Sequence, residues 1–370
     1  MQMSLIGPVA GLANTLRTPL TFLRSHPTQD VMFRDIAGDN LPRALIVRSK
    51  DELVDKGLFE LGSAAAFFGG GYGLNKLFNH LLPKLAKSPL MANKQGWLNL
   101  ARTFGIMGPV ATALVALPFL RNYLTTYRTG KTAFKEVIDR QDAKTLKNHQ
   151  QTAFGLTPPA HTPMQAKMQA ESRQRALEKT LSVQWKQFTK AAGMGLAASA
   201  ALTALSLVFF KTNMPFNKLA KGVSKLIGLN NGQFGHLTDL KSFIWWALPT
   251  FGGLLAASRD QDEVRETKVH ALGFALSFFI LPNLMQKWVS RMGALRTLPA
   301  ETAKNTAYLI KFLTSTVLCA ALPSVANIVM TRRHIQNETR HMPVPANTGT
   351  PFTRTPETFA GYTPLYQQDA

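Results

Sequence analysis

The chain has 370 residues, of which 45% are hydrophobic and 17% are charged, with a formal net charge of +21. The low charged fraction favours one apolar assembly over several soluble domains. Because the cations flank apolar runs and are not gathered on one polar domain with interleaved aromatic residues, the composition argues against nucleic acid as a partner.

The N-terminal residues 1–57 contain Arg17 and Arg24 but no basic start that leads into an unbroken apolar run. This pattern disfavours a cleaved secretory signal. We predict that 1–57 is an amphipathic segment lying on a membrane surface. A weak organelle transit peptide has much the same composition and is the alternative.

Six stretches of the chain lack Lys, Arg, Asp and Glu and are rich in Ala, Leu, Phe and Gly. A helix needs about 20 residues to cross the core of a bilayer, and shorter spans can be completed by Lys or Arg side chains that reach to the interface. We therefore predict an all-α membrane bundle of about six transmembrane helices. The stretches are 61–75, 103–120, 191–210, 242–258, 269–286 and 312–331.

Two motifs alternate strictly along these stretches. The pair FF occurs three times, with a lysine eight residues after the second phenylalanine, and the tripeptide ALP occurs three times, with an arginine ten residues after the proline. The sequence around the first FF, LGSAAAFFGGGYGLNK (61–76), also aligns with the sequence around the last, LGFALSFFILPNLMQK (272–287). The pairs are Phe67-Phe68, Phe209-Phe210 and Phe278-Phe279, and the prolines are Pro118, Pro249 and Pro323.

This alternation predicts three equivalent helical hairpins. A polar, basic insert with a surface helix separates the first hairpin from the second, and the chain ends in a disordered tail that is rich in Thr and Pro. The predicted boundaries are 58–128, 187–259 and 260–333 for the hairpins, 129–186 for the insert and 334–370 for the tail.

Each ALP proline is predicted to bend its helix, because a proline in lipid frees a carbonyl that its neighbours must satisfy. Pro118, Pro249 and Pro323 would then be three equivalent hinges, whereas the alternative is that proline is simply common in membrane helices. The arginine after each proline lies about 15 Å further along the helix, at the level of the headgroups. The predicted interfacial anchors are Arg128, Arg259, Arg333, Lys76, Lys218 and Lys287.

Arg121 breaks the repeat, since Gly252 and Ala326 occupy the equivalent positions. An ionisable residue at membrane depth indicates a functional role and needs a partner. Glu60 begins the first predicted span on the same side of the bilayer, so we predict that it pairs with Arg121. The alternative is that Arg121 reaches to the interface while Glu60 lies in water.

Asn283 gives the fifth span a mildly polar character, which suits either a hydrogen bond between helices or a path for a solute. The sequence shows no motif for enzymatic chemistry. GGGYG (69–73) lacks the spacing of a dinucleotide loop, no pair of histidines has the spacing of a helical zinc site, and Cys319 is the single cysteine. We predict neither a cofactor nor a metal.

We expect a non-enzymatic integral membrane protein that serves as a scaffold, a membrane-shaping protein or an interaction component. The alternative is a small-solute or lipid transporter with pseudo-threefold hairpins and a cavity near Arg121 and Asn283. A third interpretation places the apolar helices in the interior of a soluble or peripheral protein. The predicted partners are a bilayer with anionic headgroups and a cytosolic protein at 129–186 or at the tail. The cations near the span ends favour cytosolic termini, in a bacterial inner membrane or an organelle membrane.

Overall fold

Helices account for nearly all of the described structure, a computed structural model that covers residues 3–318 apart from 46, 48, 82–94, 139–162, 213–215, 231, 293–294 and 296. In chain order they are α1 (Met3–Thr15), α2 (Arg17–Ser25), α3 (Pro27–Asp35), α4 (Leu41–Leu45), α5 (Lys50–Ala64), α6 (Gly71–Leu81), α7 (Gln95–Thr129), α8 (Phe134–Ile138), α9 (Pro163–Lys211), α10 (Asn217–Ile227), α11 (Asp239–Ser242), α12 (Leu248–Ala256), α13 (Gln261–Phe274), α14 (Leu281–Ser290) and α15 (300–318).

Four π-helical segments each join two consecutive α-helices: π1 (Ile36–Asn40), π2 (Ala65–Gly70), π3 (Phe243–Ala247) and π4 (Ala275–Ile280). The described residues contain no strand, and a single isolated bridge joins Asn230 to Gln233. The predicted all-α class is confirmed for this part of the chain.

Three helices among the described residues are long and apolar enough to cross a membrane: Gln95–Thr129, Glu171–Lys211 and Gln261–Ser290. They contain the predicted spans 103–120, 191–210 and 269–286. The stretches 61–75 and 242–258 lie on helices outside this set, and most of 312–331 lies outside the described residues. A membrane protein is therefore supported by three helices, while the count of six spans remains a prediction.

Helix α7 is the centre of the bundle, and small residues let its neighbours approach it closely. Half of its most apolar window is buried, compared with 17% of that in α9. A Cβ placed on Gly108 would lie 2.1 Å from Ser199 Oγ, and one on Gly253 would lie 2.8 Å from Val115 Cα. Small residues at these contacts therefore allow the helix backbones to pack closely.

The first and third predicted repeats share a local structure. Ser49 Oγ accepts a hydrogen bond from Glu52 N (3.0 Å) at the start of α5, and Asp260 Oδ1 accepts one from Glu263 N (2.9 Å) at the start of α13. Both helices then pass through a π-helical segment that contains the paired phenylalanines. The middle pair, Phe209-Phe210, lies in α9, which is α-helical there. Equivalence of the first and third copies is thus visible locally, whereas a threefold repeat is not shown.

Aromatic rings fill the centre of the bundle where π2, π3 and π4 meet. Trp246 lies 5.5 Å from Phe67 and 5.7 Å from Phe278 between ring centroids, and Phe274 stacks on Phe278 at 4.7 Å. Offset and edge-to-face pairs of this kind add to the hydrophobic stabilisation of buried aromatic side chains. Each π segment widens its helix locally and so changes which residues face this core.

Much of the predicted interfacial segment 1–57 packs against protein. Ala13 and Leu20 are buried against Tyr308 and Leu309 of α15, and Val31 of α3 is fully buried in the aromatic core. The burial of this apolar face accounts for the amphipathic pattern of the sequence.

The surface helix predicted within the insert 129–186 is continuous with the next span. Both belong to α9, which runs without interruption from Pro163 to Lys211. Residues 139–162 of the insert, the tail 334–370, and the predicted sites Pro323 and Arg333 lie outside the described residues.

Candidate functional site: buried ionic networks

The first network, called the Arg121 network, consists of Asp55, Arg121, Arg259 and Glu263. Arg121 Nη2 lies 2.5 Å from Glu263 Oε1, and Arg259 Nη2 lies 3.0 Å from both Asp55 Oδ2 and Glu263 Oε1. No side chain in it is more than 7% exposed. Two guanidinium groups are therefore matched by two carboxylates, which is the condition for tolerating buried charge.

Further hydrogen bonds fix these four side chains. Thr125 Oγ1 donates to Asp55 Oδ1 (2.6 Å), and the backbone N–H of Arg259 donates to Glu263 Oε2 (2.7 Å). Burial alone would raise the pKa of Asp55, but the two guanidinium groups lower it. Asn122 accepts from Arg121 Nη2 (2.8 Å) and donates to Ala257 O (2.5 Å). The network thus ties the start of α5, the end of α7 and the start of α13 together.

The partner predicted for Arg121 was wrong. Glu60 instead forms an ion pair with Arg43, while Arg121 pairs with Glu263. The prediction chose the acid nearest in sequence to the first span. Helices α5 and α13, which begin at the caps Ser49 and Asp260, bring acids that are more distant in sequence to the end of α7. The similar sequences around the two caps could have indicated this arrangement.

Arg259 also departs from its predicted role as an interfacial anchor, because its side chain is only 3% exposed and belongs to the Arg121 network. Arg128 is exposed and pairs with Asp51 (3.2 Å). Lys76, Lys218 and Lys287 are exposed, as expected of anchors.

A second network, the Arg43 network, lies beside the first. Arg43 pairs with Glu60 and lies 3.5 Å from Asp39, and Lys56 Nζ lies 2.7 Å from Glu52 and 3.1 Å from Glu266. Burial raises the pKa of Asp39 to about 7, although Arg43 opposes this shift. Asp39 therefore changes its charge near neutral pH.

Two further groups border Asp39. His270 Nε2 lies 3.3 Å from Asp39 Oδ1, but neither atom makes a well-directed hydrogen bond. Burial, reinforced by the negative charge of Asp39, raises the pKa of Asp35 well above its ordinary value. Asp39 and Asp35 are therefore two carboxyl groups in this region for which burial disfavours the charged form.

The third network, the Arg34 network, consists of Asp30, Arg34, Asp239 and Lys311. Arg34 Nη2 lies 2.9 Å from Asp30 and 3.0 Å from Asp239, and Lys311 Nζ lies 2.6 Å from Asp239. Arg34 is fully buried, donates to Phe278 O (2.9 Å), and its guanidinium carbon lies 4.4 Å from the centroid of the Phe278 ring. This network too contains two cations and two carboxylates.

Asn283, predicted to line a cavity, belongs to this third network. Its amide donates to Asp239 Oδ2 (2.8 Å) and to Phe279 O (2.7 Å). It is therefore a structural hydrogen-bond donor that is separated from Arg121, and the two predicted cavity residues do not come together.

Charged networks lie at two levels along one helical path. Glu263 of α13 and Asn283 of α14 are separated along the helix by about 30 Å at about 1.5 Å per residue. This equals the thickness of the hydrocarbon core of a bilayer, about 30 Å. Phe274 and Phe278 of the aromatic core lie between these two residues on the path, and Arg34 of the third network contacts the core at Phe278.

The predicted hinges occupy different settings. Pro118 is buried within α7, which continues as a helix on both sides of it, and Pro249 is the second residue of α12, directly after π3. Ala247 has helical backbone angles (φ −65°, ψ −46°), so Pro249 lies inside a continuous helical path, where its missing N–H removes one hydrogen bond. The structure does not bring the two prolines into equivalent positions, and hinge motion remains a prediction.

Paired charges of this kind can brace helices, but they do not present a nucleophile with an adjacent base. In the part of the chain that the structure describes, no group of three or more His, Cys, Asp or Glu side chains is arranged to hold a metal ion. In comparisons with known proteins, no family model matches the chain, and no curated protein or solved structure shows significant similarity to it.

Proposed function

We propose that the protein is a non-enzymatic integral membrane protein that acts as a scaffold, whose role is to hold helices, insert and tail in a fixed arrangement for a partner. The observation that carries this proposal is the aromatic core between two levels of matched charges. A solute path requires polar or water-filled space at mid-depth, whereas here Phe67 and Phe278 are fully buried against Trp246.

The matched charges support the same role. Removing one partner of a buried ion pair costs several kcal/mol, about 3–5, so such networks strongly favour one arrangement of the helices they join. The Arg121 network joins α5, α7 and α13, and the Arg34 network joins α3, α11 and α15. A rigid frame of this kind suits a scaffold better than a protein that alternates between two open states.

The finer topology belongs to the same proposal. It comprises six spans in three hairpins, in a bacterial inner membrane or an organelle membrane, with the termini and the insert 129–186 on the cytosolic side. The three apolar helices and the likeness of the first and third repeats support it. The partners we propose are anionic lipid headgroups at the cationic rims and a cytosolic protein at the insert or the tail.

A small-solute or lipid transporter is the second candidate, favoured by one observation. Three π-helical segments, π2, π3 and π4, meet at the centre of the bundle, and π-helical turns are frequent at functional sites. In a transporter these segments would rearrange and open the core to water.

A pair of matched serines separates the two candidates. Ser277 in π4 is fully buried and its hydroxyl donates to Gly273 O (2.6 Å), whereas Ser290 at the end of α14 is exposed and its hydroxyl donates to Gln286 O (2.6 Å). Each is replaced by cysteine in a C319S background, S277C and S290C, and a charged, membrane-impermeant thiol reagent is added to permeabilised membranes.

For a scaffold we expect S290C to react and S277C to stay unmodified until the protein is denatured. Reaction of S277C at a rate comparable to that of S290C would show water at the centre and would favour the transporter. Single cysteines at residues 90 and 150 test the first hairpin separately, since we expect them to be labelled from opposite faces.

A further inference from the structure

An open cleft of about 750 Å³ lies at the end of α7 that is distant from the Arg121 network. Its walls come from the first turns of α7, from α10, from the loop 228–238 and from α11. Arg102 and Arg121 belong to the same helix and are separated by about 28 Å at about 1.5 Å per residue. The cleft is therefore near the opposite interface of a bundle that spans a bilayer.

The cleft is strongly cationic. Arg102, Lys221, Lys225 and Lys241 line it, together with His236, and none of the described residues that line it carries a carboxylate. Like charges held close together repel one another, and a bound anion would offset this repulsion. In contrast to the Arg121 and Arg34 networks, no carboxylate among the described lining residues balances these cations.

Among the described residues of the cleft, Arg102 is the clearest case of an unpaired cation. It has no carboxylate partner among the described residues, and its Nε atom is buried without a hydrogen-bond acceptor. One helical turn earlier, Asn99 Oδ1 is also buried without a donor, although Asn99 Nδ2 donates to Ser224 Oγ (2.7 Å). A planar guanidinium is suited to bind two oxygens of a phosphate at once.

A loop approaches this guanidinium closely. Gly232 has a positive φ of 68°, which favours glycine, and a Cβ at that position would lie 2.6 Å from Arg102 Nη1. Lys241 donates to Gly228 O and to Asn230 Oδ1 (2.6 Å), which fixes the base of the same loop. Lys241 is thus a positioning residue.

Helix α10, which forms one wall of the cleft, has the composition of a helix that lies at a membrane surface. Phe216 precedes this helix and is 56% exposed, and Leu219 and Leu226 within it are 62% and 55% exposed. Exposed apolar residues next to lysines are typical of helices that lie in the headgroup region. Lys221 and Lys225 of this helix are exposed at the rim of the cleft.

We propose that this cationic cleft binds a phosphate-bearing anion, whose oxygens are contacted by Arg102, Lys221 and Lys225. The phosphate belongs either to the headgroup of an anionic lipid or to a free phosphate ion. This site rests on the proposed function in that it places the anionic headgroups named there as partners. Its failure would leave the choice between a scaffold and a transporter untouched.

The test measures binding to full-length protein in a neutral detergent by isothermal titration calorimetry. The probes are dioctanoyl phosphatidic acid, inorganic phosphate and dioctanoyl phosphatidylcholine. We compare the wild type with the double variant K221Q/K225Q, and with a control, K218Q/K287Q, which removes two exposed lysines outside the cleft. Because all four lysines are exposed, both variants should fold, which far-UV circular dichroism checks.

We expect phosphatidic acid to bind saturably to the wild type and the control, and at least about tenfold more weakly to K221Q/K225Q, because the variant loses two cations that would contact the phosphate oxygens. Equally tight binding of inorganic phosphate would identify a free phosphate ion as the source, and binding of the lipid alone would identify a headgroup. Absence of saturable binding by both probes would overturn the proposal. It would equally be overturned by phosphatidylcholine binding as tightly as phosphatidic acid, or by a control that weakens binding as much as the cleft variant.

Discussion

Arg102 and Arg121 lie on the same helix, α7, and differ in what surrounds them. Arg121 is buried among two carboxylates and the amide of Asn122, whereas Arg102 lines a cleft in which none of the described residues is acidic. One arginine completes a neutral network inside the protein, and the other is an unmatched charge that a ligand can neutralise. The comparison teaches that the partners of a cation, more than its place in a helix, indicate its role.

The largest effect is expected from Arg121→Met, which leaves Asp55 and Glu263 with Arg259 as their single shared guanidinium. Breaking a buried ion pair by removing one partner lowers the free energy of unfolding by about 3–5 kcal/mol. Unfolding in mixed detergent, followed by far-UV circular dichroism, measures this loss.

The control is Arg102→Met, which removes the same charge from the same helix. We expect it to change the free energy of unfolding by less than about 1 kcal/mol, because it leaves no carboxylate without a partner. Equal losses in the two variants would contradict the distinction between them.

The pH dependence of stability is expected to be the next largest effect, and it centres on Asp39 of the Arg43 network. Its pKa is raised from 3.8 to about 7 by burial. Between these values the folded state holds a proton that the unfolded state has released. Asp39 therefore does not lower the free energy of unfolding below pH 4, and it lowers this free energy progressively as the pH rises towards 7. The loss is about 4 kcal/mol, since the pKa rises by about three units and one unit corresponds to about 1.4 kcal/mol.

Asp39→Asn cannot release this proton. We expect the variant to lose less stability than the wild type between pH 4 and pH 7, with a remaining fall due to Asp35, whose pKa is raised in the same direction. Unfolding at a series of pH values checks this, and identical pH profiles for the two proteins would show that Asp39 does not titrate in this range.

A smaller effect is expected midway between the two arginines, where α12 crosses α7. In Gly253→Ala the new Cβ would lie 2.8 Å from both Val115 Cα and Val115 O, so the helices must separate. Overpacking of this kind costs about 1–3 kcal/mol. The neighbouring Gly252→Ala is the control, because a Cβ there meets nothing within 4 Å and alanine favours a helix over glycine. A loss of stability in both variants would show that the contact with α7 is not the cause.

The smallest effect is expected where a matched pair lies in solvent. Arg24 Nη2 lies 2.7 Å from Glu301 Oε2, with 28% and 46% of the side chains exposed. Exposed pairs contribute little because water and salt screen them. Glu301→Gln should therefore leave unfolding unchanged within error, and a measurable loss would mean that pairing stabilises this protein even without burial.

Part of this architecture is predictable from the sequence because it depends on local composition. Three of the apolar stretches that are free of charge lie on helices long and apolar enough to cross a membrane. The FF pairs at Phe67-Phe68 and Phe278-Phe279 also occupy equivalent places in the structure. Each of these features is decided by residues that are neighbours along the chain.

The ionic networks could not be predicted in the same way, because their members are distant in sequence. Arg121 was identified as unusual, yet its partner Glu263 comes from a different predicted hairpin, and Arg259 was assigned to the surface because an arginine after an apolar run commonly lies there. Burial of Arg34 and Asp30 was missed as well, since 1–57 was expected to lie at an interface. The cationic cleft combines the start of α7 with α10, the loop 228–238 and α11, which come more than a hundred residues later in the chain, and no local pattern predicts it.

The segment π4 also sets how far α14 is rotated about the helix axis relative to α13. It thereby sets the directions of the polar side chains at the two ends of this helical path. Each residue of a helix advances its direction by about 100°, so deletion of one residue in π4 would turn α14 by that angle relative to α13. Asn283 would then point away from Asp239 while Glu263 kept its place beside Arg121. The single wide turn is therefore what allows both ends of the path to meet their partners at the same time.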